Sequence, residues 1–262
     1  MPLNTRAPSC SSAAEHRRRT GPRHPMKRLH GKAHPGVLAA LLLSVVLVLG
    51  GAYWVVSMPQ APERDAFSPE LVTEGVVLDR ALAGAPAHIY LRDFELQKSA
   101  ASCGPASVRN VLVSLDRDVV SERALFGSDI AGWLRMQVLG MTLEQVATLL
   151  EHHEAGMVTV ARDLDYATFI AHLERSNDPA WRYLVNFDRA PLFGVQIGHF
   201  SPLGGYNSAS GMVTLLDVTP GYGMSLVPAP LLYAATATRD PDSGLGRGLV
   251  AVHVGDDSAA AP

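Results

Sequence analysis

Cysteine is nearly missing from this chain: 262 residues contain two, Cys10 and Cys103. So sparse a supply excludes a disulfide framework, and no spacing of His, Cys, Asp or Glu makes a metal site. His152-His153-Glu154 reads as a wet helix end instead. Positive charge is also scarce once the N-terminus is passed. Residues 1–35 hold eight bases and one acid, a net +7, so the chain's total of −3 leaves −10 beyond residue 35. An acidic domain of that kind is a poor nucleic-acid binder. Beyond residue 63 there is no internal repeat and no low-complexity tract. About 200 residues therefore remain for one domain with a sizeable core.

One stretch lacks charge altogether. Residues 37–56, "VLAALLLSVVLVLGGAYWVV", follow the basic segment and precede Glu63 and Asp65. Twenty helical residues reach roughly 30 Å, the thickness of a bilayer core. The charge asymmetry sets the N-terminus in the cytoplasm, and Tyr53 and Trp54 fall where an interfacial aromatic belt sits. The competing reading is a cleaved signal peptide, with small residues at Gly50-Gly51-Ala52. The expected organisation is a basic cytoplasmic segment over 1–35, whose true start is alternatively Met26, then an anchor or signal over 36–58, a Pro-rich tether over 59–69, the main folded domain over 70–254 and a tail over 255–262. The domain is expected on the periplasmic side of the inner membrane, tethered by a single pass, or free in the periplasm if the segment is cleaved.

Within the domain the hydrophobic period changes once. Val108, Val111, Leu112 and Leu115 share one helical face, as do Leu143, Val146, Ala147 and Leu150 behind a capping box from Thr142 to Gln145, and Tyr166, Phe169, Ile170 and Leu173 after Asp165. Strands are then expected over 181–187, 198–207, 211–218 and 248–254, separated by Gly, Pro, Ser and Asn. Helices first and strands afterwards indicate α+β with an antiparallel sheet.

Cys103 is followed by Gly104 and Pro105, and Pro suits the first turn of a helix. The thiol therefore sits at the positive end of a helix, which favours the thiolate nucleophile. With Cys10 in another compartment, Cys103 has no partner. A buried structural cysteine is the plain alternative. If 198–207 and 211–218 form a hairpin about Asn207–Ser210, paired residues sum to about 416 to 418. That sets His199 opposite Asp217 within a residue or two, roughly 5 Å between Cβ atoms. A thiol, an imidazole and a carboxylate to orient it make up a nucleophilic triad. Gln97, six residues before Cys103, is placed to add a side-chain amide to an oxyanion hole.

"QKSAASCGPASVRNVL", "GMTLEQVATLL", "YLVNFDR", "GHFSPLGGYN", "LLDV" and "RDPDSGLGRGLV" occur in an order and approximate spacing that resemble the phytochelatin synthase catalytic domain, over roughly residues 70–254. The resemblance implies a papain-like cysteine protease fold, with a helical lobe and an antiparallel sheet lobe. It implies Cys103 as nucleophile, His199 as base and then acid, Asp217 as orienter and Gln97 in the oxyanion hole. Asn186 and Arg189 would shape the substrate site, and Asp240 and Arg247 would hold the amine and carboxylate of a γ-glutamyl group. The implied substrate is glutathione, with no cofactor required and with heavy-metal ions such as cadmium or zinc an optional part of the substrate, as glutathione thiolate complexes. The chain departs from the long plant form in having no Cys-rich C-terminal region, and from most members in its apolar segment, which favours hydrolysis or simple transpeptidation over polymer synthesis. A C39-like cysteine peptidase and a membrane-tethered binding protein with an incidental thiol are the other readings.

Overall fold

A computed structural model describes residues 35–59, 61–84 and 86–254. The basic N-terminus with Cys10 and Met26, and the tail over 255–262, lie outside the described residues. The chain divides into two units between Val48 and Leu49.

The boundary falls within helix α1 (Pro35–Ser57), 23 residues that carry no charged side chain. Side chains at 35, 38 and 52–57 lie outside the described set. Among the described residues no helix is long and apolar enough to cross a membrane.

The second unit, after the remainder of α1, runs α2 (Val76–Ala83), α3 (Ala87–Leu91), α4 (Cys103–Ser114), α5 (Ile130–Leu139), α6 (Leu143–His152), β1 (Met157–Arg162), α7 (Tyr166–Arg175), β2 (Trp181–Asp188), α8 (Ala190–Phe193), β3 (Gly198–Asn207), β4 (Met212–Leu216), β5 (Met224–Pro228), α9 (Ala229–Thr236) and β6 (Gly248–His253). Side-chain caps begin α5, α6 and α7. Thr142 and Gln145 close the expected capping box on α6. Asp165 accepts from the Thr168 N–H at 2.7 Å to start α7, and Asp129 accepts from Gly132 to start α5, each satisfying a donor that the first turn leaves open.

All six strands pair antiparallel, in the order β1-β6-β2-β3-β4-β5. The four expected strands are the interior of this sheet, and β1 and β5, which the apolar pattern did not mark, are its two edges. Edge strands bury less and so carry a weaker apolar signature; β1 leaves Met157 and Thr159 exposed.

The expectation of a helical lobe beside a sheet lobe needs correction. Helices cover both faces of the sheet. On one face Phe169 and Leu173 of α7, Leu192 and Phe193 of α8, and Leu232 and Ala235 of α9 pack on Tyr183, Val185, Phe187 and Leu215. On the other, Tyr90 of α3, Val108 and Leu112 of α4, and Val146 and Leu150 of α6 pack on Leu184, Phe200, Leu216 and Val250. The reason is visible in β2, where apolar side chains point both ways, so a strand left bare on either face would expose them.

The β3–β4 hairpin contains one irregularity. Tyr206 pairs with Val213 and Asn207 with Met212, but beyond Gly204 and Gly205 it is Leu203 that pairs with Leu215. Two residues of β3 thus face Thr214 alone. Gly205 holds φ at +123°, which favours glycine, and a Cβ on Gly204 would come within 3.0 Å of the Ala87 Cβ.

Candidate active site

Cys103 is the first residue of α4. Gly104 follows because α6 crosses there at close range: a Cβ would lie 3.2 Å from Val146 Cγ2 and 3.3 Å from Met141 Cβ. Pro105 occupies the first turn, where its missing N–H costs nothing. The thiol is half-buried. Burial alone pushes it up, but the charge and hydrogen bond of His199 outweigh that and, with the Phe200 N–H and the Arg189 charge, hold it below the ordinary thiol value.

His199, on β3, is buried, its ring edge-to-face with Phe187 at 5.5 Å. Nε2 lies 3.2 Å from Asp217 Oδ1, which leaves Nδ1 for the thiol. Burial and the neighbouring Arg189 pull the imidazole down, yet Asp217 and the Cys103 thiolate prevail and raise it above its ordinary value. A lowered thiol beside a raised imidazole favours a thiolate–imidazolium pair at neutral pH.

Asp217 lies just past β4 and is 0% exposed. Burial opposes its ionisation, but His199, Arg189 and the Thr219 N–H lower it to about 2. Extended by two residues, the pairing of 203 with 215 would set 201 opposite 217, one diagonal step from His199. The expected register therefore holds on the site side of the bulge. Without the bulge, the pairing near the turn would carry through and send the two side chains to opposite faces, because a shift of one residue reverses every side chain.

Arg189 is not where the sequence reading set it. It does not line the cavity beside Cys103. It is buried behind the His199–Asp217 pair, with Nη2 donating to Asp217 Oδ1 and Oδ2 at 2.7 and 2.6 Å and to Thr219 Oγ1 at 2.7 Å, and with the guanidinium 3.8 Å over the Tyr222 ring. Gln97 is buried as well. Its Nε2 donates to the Ser99 carbonyl at 2.9 Å, and its Oε1 accepts from the Thr219 hydroxyl at 3.1 Å. Thr219 was missed by the sequence reading. The signal was local: Asp217 accepts the Thr219 N–H at 2.7 Å just before Pro220, a polar side chain capping its own backbone two residues on.

Cys103, Asn186, Asp240 and Arg247 line one cavity of about 730 Å³, together with α5 residues 137–139. The volume falls within the range of small-molecule sites. Arg247, on the turn into β6, is 5% exposed, yet its guanidinium has one hydrogen bond, a 3.3 Å contact to Asn186 Oδ1. Among the described residues no carboxylate pairs with it, and its Nε is buried without a partner. Gly198 gives it room, since a Cβ there would lie 2.9 Å from Nη2. Asp240 is buried too, its oxygens accepting from the Asp242 N–H and the Ser243 hydroxyl.

The sequence pattern of phytochelatin synthase matches residues 76–249, two thirds of the chain. The chain belongs to the phytochelatin synthase family. Among curated relatives, glutathione gamma-glutamylcysteinyltransferase 1 of Triticum aestivum is 31% identical over 172 residues, covering 61% of this chain and 34% of that protein. Glutathione gamma-glutamylcysteinyltransferase 3 of Lotus japonicus is 33% identical over 123 residues, covering 45% of this chain and 25% of that one. The phytochelatin synthase domain thus spans about a third or less of these relatives' own length. Among solved structures, a double glycine motif protease from an AMS/PCAT transporter, in complex with its leader peptide, gives a TM-score of 0.40 at 14% identity, over 61% of this chain and 89% of that one.

Proposed function

We propose that this phytochelatin synthase domain, with a papain-like arrangement of nucleophile helix and base-bearing strand, cleaves the Cys–Gly amide of glutathione through a thioester on Cys103. The observation that carries the substrate choice is Arg247, a buried cation lining the nucleophile's cavity with no carboxylate among the described residues to pair it. A buried charge needs a counter-charge. The α-carboxylate of a γ-glutamyl group supplies one, in a fork geometry that guanidinium matches, and Asp240 in the same cavity suits the adjacent amine.

The thiolate of Cys103 attacks the amide carbonyl carbon, and the resulting oxyanion takes hydrogen bonds from the Cys103 N–H and the Gln97 carboxamide. Collapse breaks the C–N bond, the imidazolium of His199 gives its proton to the departing glycine amine, and the acyl group stays on sulfur. His199, now neutral, takes a proton from water or from the γ-glutamyl amine of a second glutathione as that oxygen or nitrogen attacks the thioester carbonyl, forming a carboxylate or a new amide and releasing the Cys103 sulfur. The products are γ-glutamylcysteine or a short phytochelatin, and Cys103 is regenerated. Metal ions enter as part of the substrate, bound by glutathione thiolates.

The test is glutathione against its α-linked Glu-Cys-Gly isomer, with products identified by mass spectrometry and Cys103→Ala as the blank. Glycine release from glutathione alone is expected. Equal cleavage of the two would remove the γ-glutamyl clamp from this reading.

The localisation belongs to the same proposal and rests on the sequence: the described residues hold no span, but the uncharged run over 37–56 is read as the inner-membrane anchor of a domain exposed to the periplasm. Support comes from the uncharged helix, whose Leu41, Leu43, Val46 and Leu49 are all exposed, and from the bases before it and the acids after it. A reporter active only outside the cytoplasm, fused after Pro262, should give signal. Signal from a cytoplasm-only reporter would overturn the orientation.

A further inference from the structure

Gln97 is useful as an oxyanion donor only if its Nε2, and not its Oε1, is offered to the reacting oxygen. A carboxamide can turn over at little steric cost, so something must fix its sense. We propose that Thr219 is the positioning residue that does so, relaying a donor–acceptor sense outward from Arg189; this rests on the thioester reading above.

The count of protons fixes the sense of each contact. Arg189 carries only donors, so the Thr219 oxygen 2.7 Å from its Nη2 must accept. The hydroxyl has a single proton, and the Gln97 side chain lies 3.1 Å away on the other side. That proton can be used there only if Gln97 presents its oxygen. Oε1 is thereby committed to Thr219, and Nε2 is turned the other way. One of its hydrogens goes to the Ser99 carbonyl. The second has no protein acceptor among the described residues and is the one left for an oxyanion.

The start of the relay is itself fixed. Arg189 is held by the Asp217 carboxylate at 2.6 and 2.7 Å and by the Tyr222 ring, and Thr219 is held through its N–H on Asp217. Asp217, Arg189, Thr219 and Gln97 are all buried, so no water competes for these groups. A single ionised carboxylate thus sets two things at once: the orientation of the imidazole through Nε2, and the sense of the Gln97 amide through Arg189 and Thr219.

The experiment is a Thr219→Val and Thr219→Ser series in the full chain, with Gln97→Ala and the Thr219→Val/Gln97→Ala double variant. Each is assayed on glutathione and on an activated acyl ester that any cysteine acyl-enzyme accepts. Thr219→Val keeps the volume and loses the hydroxyl. It should lower kcat roughly 10- to 100-fold with KM unchanged, short of the 10²–10³ lost with an oxyanion donor outright. Thr219→Ser should restore kcat to within about twofold, and in the double variant the Val change should add nothing to Gln97→Ala, since both remove one interaction. Wild-type kcat in Thr219→Val, a loss confined to KM, failure of Ser to restore, or losses that multiply in the double variant would each overturn the proposal. Turnover of the ester but not of glutathione would remove the substrate assignment while the series still decides on Thr219. Neutron diffraction of the wild-type protein gives a readout independent of activity and of whether Thr219→Val folds. A Thr219 deuteron directed at Gln97 Oε1 is expected, and a Gln97 Nε2 directed at Thr219 would end the idea.

Discussion

Arg247→Met should separate binding from stability, because the wild-type guanidinium is buried without a counter-ion. Met keeps an unbranched side chain and removes the charge. In the free protein Arg247 gives up one 3.3 Å contact to Asn186 and relieves a buried Nε that has no partner. Replacing an uncompensated buried charge by an apolar group is neutral or stabilising, so the melting temperature should hold or rise. The bound state is different. There the guanidinium makes a charge-assisted hydrogen bond to the substrate carboxylate, worth about 2 to 3 kcal/mol. Its loss should lower kcat/KM for glutathione by about 30- to 150-fold, while a small alkylating agent still modifies Cys103 at nearly the wild-type rate. Saturating glutathione should raise the melting point of a Cys103→Ala background but not of Cys103→Ala/Arg247→Met. A fall of more than about 4 °C in Arg247→Met, on the order of 1 kcal/mol or more for a domain of this size, would show the side chain to be a structural support. So would an unchanged kcat/KM, and either result refutes the clamp.

Cys103 should react with iodoacetamide well below the ordinary thiol range, since His199 and the helix terminus favour the thiolate; a rate that rises only above about pH 8.5 would contradict the ion pair. Asp217→Asn should keep the fold but lower kcat by orders of magnitude through a misdirected imidazole, and a rate within about threefold of wild type would reduce Asp217 to a structural role. Asp217 titrates near 2 in the fold against an ordinary 3.8. Its depressed value contributes about 2 kcal/mol of stability that is present above pH 4 and lost as the pH falls towards 2. Denaturant unfolding across that window should show the loss in wild type and a flatter profile in Asp217→Asn.

The sequence made the interior of the fold legible and left its margins dark. The capping box at Thr142 and the apolar faces of α4 and α6 stand as read, because each rests on a local pattern with one physical cause. The edge strand β1 escaped notice because it buries too little to write a strong period, and β5 because, although Ser225, Leu226 and Val227 are buried, five residues are too few to write one. The two-lobe arrangement failed for a related reason. The apolar pattern reads as helices before strands, but α8 and α9 follow β2 and β5 and help close the second face. At the site, the hairpin argument brought His199 to Asp217 without any view of the bulge that makes their shared face possible. Arg189 and Thr219 could not be placed from spacing. Arg189 reaches Asp217 across 28 positions, and Thr219 reaches Gln97 across 122. Such contacts come from tertiary folding alone.

The doubled glycine in β3 divides the hairpin into two regions with different tolerance for change in chain length. Lengthening or shortening the connection over 208–210 alters only the tip, since the strands on either side keep their phase. Adding or deleting one residue at Gly204-Gly205 reverses that phase for everything towards His199, and would turn the imidazole and the carboxylate away from each other while leaving the strands themselves able to pair. A peptide tag or a fluorescent domain therefore belongs at the tip, and a family member that has lost one of the two glycines by deletion should be sorted among proteins that keep this sheet and have given up its chemistry.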